Sequence, residues 1–420
     1  MGKQMTVASN NPKSEIVSEP RPRVNLRFLD GFRGLAALYV MLFHLYNSEG
    51  LPHVLAFSLS WLRFGHYAVS VFIVLSGYCL MLPIARSETG QMQRGTWDFF
   101  RRRAKRILPP YYAALVFSLI LLRFYPQIQK TLNVRSTDGR WAENFTPGCI
   151  LAHVFLIHNW FKEWYGSIDG PMWSVATEWQ IYFLFPLLLL PIWRRFGNVS
   201  VILFGLALGV APLLILPHDY NFCWARPQYL GLFAMGMVGA AIGFSDKLRD
   251  NYWRDNLPWG LFAATGFLTF FSIAFYTLAI KHQGMDIYGL PVSQPWIIDV
   301  IVGFSTISTI IFCAHHVQKT PASTKPAILR IFECPWAVGL GAFSYSIYLI
   351  HLPILSLMGI VLSSFVSSPM LQKALLLFIG VPIIIGLSYL FHLAFERRFM
   401  SAPAQKRVEN DLQQLSSTNK

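Results

Sequence analysis

RFLDGFRGLAALYVMLFHLY, residues 27–46, is the stretch that decides how this chain is read. It has the apolar content of a transmembrane helix, yet it carries Arg33 and His44, two residues that hydrocarbon rejects. Eleven steps of about 100° bring a helix round almost to where it began, so both side chains share one face, roughly 16 Å apart along the axis. An ionisable group inside a span marks a functional site by default, facing the protein interior. The plainer alternative also stands: Arg33 snorkels to the headgroups and His44 satisfies a neighbouring helix.

Composition sets the class. Of 420 residues, 54% are hydrophobic and 13% charged, with a mean hydropathy of +0.42. Soluble chains carry about 25% charged residues, so a polytopic membrane protein is expected, all-α, with no separate soluble domain. The net charge of +14 would suit nucleic acid, but Lys and Arg cluster in the loops between apolar runs, which is how membrane topology is written. No nucleic-acid partner is expected; the lipid bilayer is. Residues 1–26 are polar, without the apolar core or cleavage site of a signal peptide, and read with 401–420 as disordered cytoplasmic tails flanking one membrane domain, 27–400. Five cysteines without CxxC or Cys/His spacing argue against zinc or a redox dithiol, so no metal is expected.

Apolar windows predict ten spans, near 28–47, 66–84, 107–124, 172–192, 199–217, 227–244, 258–280, 296–316, 337–361 and 372–395. A further piece, Cys149 to Trp160, is too short to cross about 30 Å of hydrocarbon. With the N-terminus cytoplasmic, 25 of the 35 Lys and Arg residues fall inside and nine outside. A crossing at Cys149–Trp160 would throw Arg194 and Arg195 outside and invert every later loop, so that piece reads as a re-entrant or interfacial helix. Both termini are then cytoplasmic. Asn144-Phe145-Thr146 lies on the far side, where a eukaryote can glycosylate Asn144; Asn198-Val199-Ser200 faces the cytoplasm, where it cannot. Cys149 and Cys223 lie outside, where a disulfide is permitted but not required.

Several residues can carry chemistry. Glu178, in MWSVATEWQIYFLFPLLLLP, lies a few residues from the outer end of its span, as His44 does, and a carboxylate at matched depth would raise an imidazole's basicity and fix its tautomer. Its structural alternative is a partner for Arg or a helix cap. His351, in SYSIYLIHLP, lies in the outer half of the ninth span with Ser344, Tyr345 and Ser346 nearby; these hydroxyls extend a polar network or bond helices together. Ser76 and Gly77, in VFIVLSGYCLM, allow close helix approach, and no base is set beside Ser76 by sequence. Arg101, Arg102, Arg103, Lys105 and Arg106, in FFRRRAKRILPPYY, enforce topology, hold anionic lipid, or grip a phosphate-rich ligand. His153, His158 and Trp160 line an outer cleft or join an aromatic belt.

These blocks resemble the acyltransferase-3 family of membrane acyltransferases, from about Leu26 to Met400. LDGFRGLAALYVMLFH is similar to its arginine–ten-residues–histidine signature, and FIVLSGYCL, FFRRRAKRILPPYY, WSVATEWQIYFLFPLLL and FSYSIYLIHLPIL resemble its later blocks in the same order. The resemblance implies ten core spans, an acyl-CoA co-substrate entering from the cytoplasm (acetyl-CoA foremost), no permanently bound cofactor, and an acceptor hydroxyl acylated within the membrane domain. By position it implies that His44 and Arg33 are the essential pair and Glu178 the acidic residue of the tryptophan-rich block. The hydrolase-like domain of some bacterial members is not seen in this sequence, which shifts the expected acceptor from cell-surface polysaccharide towards a small molecule, a sterol-like compound or a secondary metabolite. The membrane would be the endoplasmic reticulum in a eukaryote and the inner membrane in a bacterium.

The residues suit that chemistry on their own terms. Ester formation from a thioester needs a base near neutral pKa within reach of the hydroxyl, and histidine supplies one. The expected scheme is direct transfer with His44 as base, Glu178 orienting it, Arg33 on the donor arm and the arginine cluster on its phosphates, with His351, Tyr345 and Ser76 as further candidates. A secondary transporter using the same intramembrane groups is the rival class. Transporters of that kind show related halves with matching helix breaks, and neither is visible here.

Overall fold

The computed structural model describes residues 25–46, 57–87, 89–132, 146–217, 222–245, 248–282, 294–319 and 324–400, and among these every regular element is a helix. Both terminal tails and Asn144 lie outside the described residues. Hydrocarbon offers a backbone no hydrogen-bond partner, and a helix is the element that satisfies its own amides.

The elements in chain order are α1 (Arg27–Leu45), α2 (Ala68–Ala85), α3 (Gly95–Leu132), the short α4 (Pro147–Val154), α5 (Met172–Leu184), α6 (Leu190–Ile215), α7 (Tyr229–Phe244), α8 (Leu248–Asn256), α9 (Trp259–His282), α10 (Pro295–Lys319), α11 (Ala327–Phe332), α12 (Pro335–Ala342), α13 (Ser344–Phe365), α14 (Pro369–Leu375) and α15 (Val381–Phe391). Nine helical stretches among the described residues are long and apolar enough to cross a membrane. One of them, Met172–Ile215, runs to 44 residues, about 66 Å if straight, twice the hydrocarbon thickness. It breaks at Gly197, whose φ of 85° and ψ of −167° leave the helical region, into the two pieces that the ten-span reading separates. The segment containing Cys149–Trp160 forms only the eight-residue α4, capped by Thr146, and a single 3₁₀ turn, each too short to span the hydrocarbon.

The loops sort onto two ends. At one, Arg86 lies over the Phe244 ring, Arg194 Nε donates to the Gly90 carbonyl at 3.0 Å, and Asn198 donates to Asp250 at 2.8 Å while accepting from Trp193 at 2.7 Å. Asp255 there pairs with Arg254 and Lys319, whose cations hold its carboxyl down at about 2. We call this the basic end. It collects the loops expected to share a side, and Asn198 is buried in it, closed to modification whichever way the chain is inserted. At the other end Asn159 donates to Thr177, Thr177 to the Ala225 carbonyl, and Arg226 lies over Trp173. Cys149 is not bridged to Cys223 but buried against Ser167 Oγ at 3.1 Å.

Small residues set the core. Every residue of α7 is buried, and it packs against α2 through Gly77 and Gly236, each facing backbone of the other helix. On α1, Gly31 meets the Phe332 carbonyl, Gly34 meets Ala337, and Gly341 of α12 meets the Asp30 carbonyl. Without a hydrophobic drive between helices in lipid, such close backbone approach supplies the packing. The flank of the bundle formed by α9 and by α14–α15 turns Leu261, Leu268, Phe378 and Leu390 outward, as lipid-facing helices do.

A Cβ on Gly77 would collide with the Phe233 carbonyl oxygen, a backbone atom that no rotamer change moves aside. Gly77→Val is therefore expected to abolish the monodisperse peak in size-exclusion chromatography in detergent. Gly359→Ala, where a Cβ meets nothing within 4 Å, is expected to leave the peak and the thermal midpoint unchanged.

Candidate active site

The glycine face of α1 is packed against α11 and α12, which turns its polar face inward. Arg33 donates from Nη1 to Asp30 Oδ1 at 3.2 Å and from Nη2 to Cys79 Sγ at 3.0 Å, and its side chain keeps 24% exposure because it borders a cavity. His44, half-buried, turns its ring towards α13, where the His351 ring stands 5.2 Å away between centroids, and Phe43 lies edge-on at 4.8 Å.

The cavity encloses about 290 Å³ between α1, α2, α3, α5 and α13. Its basic end is lined by Arg103, Arg106 and Ile107, its middle by Arg33, Ser76, Cys79, Glu178, Tyr182 and Tyr345, and its far end by Ser174 and Tyr348. Along α5 the polar positions Ser174, Glu178 and Tyr182 fall at intervals of four and share a face. Tyr182 donates to Glu178 Oε1 at 2.5 Å, and its oxygen lies 3.0 Å from Ser76 Oγ, so a hydroxyl–hydroxyl–carboxylate chain crosses the cavity wall. Tyr345 donates to the Ile107 carbonyl at 3.1 Å, tying α13 to α3. At the far end the Tyr348 and Ser174 hydroxyls are 2.6 Å apart, and the Tyr348 ring lies 6.0 Å from that of His351. The cavity thus begins at two arginines and stops at a tyrosine, one ring short of the His351–His44 pair.

Several expectations are revised by this arrangement. Glu178 takes its place in the Arg33 cluster, within electrostatic reach of that guanidinium, one helical turn inward from the Ser174–Tyr348 contact that leads to the histidines. Of the basic block, Arg103 and Arg106 line the cavity, being three residues apart on one helix face. Arg101 is exposed and Arg102 pairs with Asp98, so neither reaches the cavity wall. Ser76, which sequence left without a base, has a carboxylate two hydrogen bonds away. Ser346 turns from the cavity and donates to Glu396 at 2.6 Å, between helices, as a structural hydroxyl would.

The outer segment proves to be a plug, not a rim. His153 and His158 are fully buried, stacked at 3.8 Å with their planes 8° apart, and His153 is held by the Cys149 and Ser167 carbonyls. Burial, reinforced by His153, pushes His158 well below the usual histidine range, so it stays neutral. Asp169 is 2% exposed, and burial pushes its carboxyl well above the usual carboxylate range, opposed only by the Ser118 hydroxyl. Tyr348 donates to the Pro171 carbonyl at 3.2 Å, which seats this plug on α13. Cys79, Ser174, Tyr182, Tyr348 and Asp169 were not foreseen. The four-residue polar repeat on α5 and the three-residue repeats Ser76–Cys79 and Tyr345–Tyr348 are the signals that expose most of them.

Comparison with known proteins adds an independent line. The model of a family described as an acyltransferase domain matches residues 26–393. The peptidoglycan O-acetyltransferase OatA of Listeria monocytogenes is 26% identical over 399 residues, covering 90% of this chain and 55% of the relative. The O-acetyltransferase OatA of Staphylococcus aureus is 24% identical over 402 residues, covering 90% and 57%. The chain thus spans about half the length of the curated relatives it matches. No solved structure matches it.

The plug yields a pH-dependent prediction. Because the folded chain holds the Asp169 proton more tightly than the unfolded chain does, folding stability falls as pH rises above the ordinary carboxyl value of about 3.9. Asp169→Asn removes that dependence. Thermal midpoints of the two proteins in detergent are expected to coincide near pH 4, with the variant gaining progressively towards neutral pH. A gap that stays constant or narrows contradicts the burial assignment.

Proposed function

The chain belongs to the acyltransferase-3 family of membrane acyltransferases, and from that premise we propose that it moves an acyl group, acetyl foremost, from a coenzyme A thioester to the hydroxyl of a carbohydrate or small-molecule acceptor. The observation that carries this reading is the cavity running from Arg103 and Arg106 to Tyr348, beside the His351–His44 pair. In this scheme the basic end faces the cytoplasm, where the donor is made. Guanidinium groups suit its phosphates. At about 290 Å³ the cavity is at the small end of ligand sites, which suits a linear thioester arm and leaves the nucleotide outside at the arginines.

The chemistry follows from the order of groups along the cavity. Arg33, partly neutralised by Asp30, faces the middle of the arm, where carbonyl groups seek donors. The Ser174 and Tyr348 hydroxyls at the far end, which now share their hydrogens with one another and with the Pro171 carbonyl, become neutral donors by turning to the oxygen that goes negative when the thioester carbonyl is attacked. Donors held fixed in a water-poor site stabilise such an oxyanion most. His44 takes the proton of the acceptor hydroxyl as the new C–O bond forms, and returns it to the departing thiolate as the C–S bond breaks. Glu178, with Tyr182 and Ser76, acts on the donor side, as counter-charge to Arg33 and Arg103. The names of both relatives support acetyl as the group, and that of the Listeria protein supports peptidoglycan-type sugars as one acceptor class to test.

Purified protein in nanodiscs, given labelled acetyl-CoA with muropeptides in one arm and a panel of small alcohols in another, is expected to acylate one class. His44→Ala should lower transfer 10²–10⁴-fold, the usual cost of losing a general base. Retention of more than a tenth of the activity would refute the base assignment. Arg103→Ala or Arg106→Ala should raise the donor KM by about 10-fold or more, as loss of a charged hydrogen bond does, with kcat little changed.

A further inference from the structure

His351 is 1% exposed, inside α13. Its Nδ1 lies 2.9 Å from the Tyr348 carbonyl oxygen and 3.0 Å from that of Ile347. Carbonyl oxygens only accept, so Nδ1 carries the hydrogen and Nε2 of the neutral ring is a bare acceptor. That Nε2 is fully enclosed and has no hydrogen-bond partner among the described residues. A buried acceptor left unmade is destabilising, and native structures rarely keep one without a use for it. The nearby Tyr348 hydroxyl is already engaged with Ser174 and Pro171. The remaining ring beside it is His44, tilted by 48° with centroids 5.2 Å apart, a separation from which a small rotation brings two ring nitrogens to hydrogen-bond distance.

We propose that His351 is the positioning residue for His44: its Nε2 accepts the N–H of the His44 ring, so the other His44 nitrogen is presented as the acceptor for the substrate hydroxyl. This rests on the reading of His44 as base. The backbone carbonyls of α13 thereby fix two tautomers in series, first that of His351 and through it that of His44. When His44 takes the hydroxyl proton it becomes an imidazolium whose second N–H stays bonded to His351, and the proton then passes to the leaving thiolate, so neither imidazole changes its state over the cycle. A neutral partner suits a membrane interior better than a carboxylate, since no ion pair has to be desolvated when the base is at rest. It also leaves Glu178 for the donor side of the cavity.

Two substitutions test this. His351→Phe keeps a ring of similar size and removes both nitrogens, whereas His351→Gln offers an amide oxygen near the place of Nε2. The Phe variant is expected to lose kcat about 10–100-fold, the usual effect of removing the group that orients an active-site side chain, with both KM values within about twofold of wild type. The Gln variant should recover most of the loss, and His44→Ala/His351→Phe should be no slower than His44→Ala alone. Full activity in the Phe variant, equal impairment in the Gln variant, or losses that multiply in the double variant would each overturn the proposal. An active His44→Ala protein would sink the base assignment and this inference together. An inactive His44→Ala beside a fully active His351→Phe would sink the inference alone.

Discussion

A polar side chain among lipid-shielded helices has no water to turn to, and this constraint sorts the buried polar residues of the bundle into two kinds. Some are closed. Asp299 accepts from Ser70 at 2.7 Å on one carboxylate oxygen and from Gln228 at 2.9 Å on the other, which joins α2, the start of α7 and α10 and leaves neither oxygen without a donor. Others are open towards a cavity or carry an acceptor with nothing to receive. Arg33, Glu178 and Tyr182 border space, and His351 keeps a bare nitrogen beside His44. These groups run from Arg103 and Arg106 towards the histidines, while other buried atoms without a hydrogen-bond partner among the described residues, on Asp169, His158 and His392, lie off that line.

The same constraint explains how α1 is held. Glycines at 31 and 34 let α11 and α12 approach its backbone on one side, and Gly341 completes the fit from the partner helix. With that face committed to packing, the face bearing Arg33 and His44 has one direction left, towards α2 and α13. Small residues therefore orient two polar residues that hydrocarbon would otherwise drive to the surface. The position of the chemistry depends on this packing as much as on the ionisable groups.

Much of this is visible in the amino-acid sequence. Eleven-residue spacing put Arg33 and His44 on one face, and loop charges grouped the segments that meet at the basic end. The place of Glu178 is less legible, because matched distance from a helix end assumes that helices begin at one level. The segment before α5 folds down into the bundle instead, burying His153, His158, Asn159 and Asp169, so the first turn of α5 is already below the surface. Cys79 escaped notice because a thiol reads as apolar until an arginine is found 3.0 Å away. Sequence alone could not divide the arginine block, since Arg106 shares a helix face with Arg102 as well as with Arg103, and which of them turns to the cavity comes only from tertiary packing.

The proposed route leads a thioester from Arg103 and Arg106 past Arg33 to Tyr348, one ring short of the paired imidazoles. Its most direct measurement is a cryo-electron-microscopy structure with a thioether analogue of acetyl-CoA, which binds but cannot transfer. Phosphate density is expected against Arg103 and Arg106, with the arm passing Arg33 and the acyl carbon beside Tyr348 facing His44. An analogue bound outside this cavity, or one whose acyl end stops at the arginines with His44 still walled off, would contradict it.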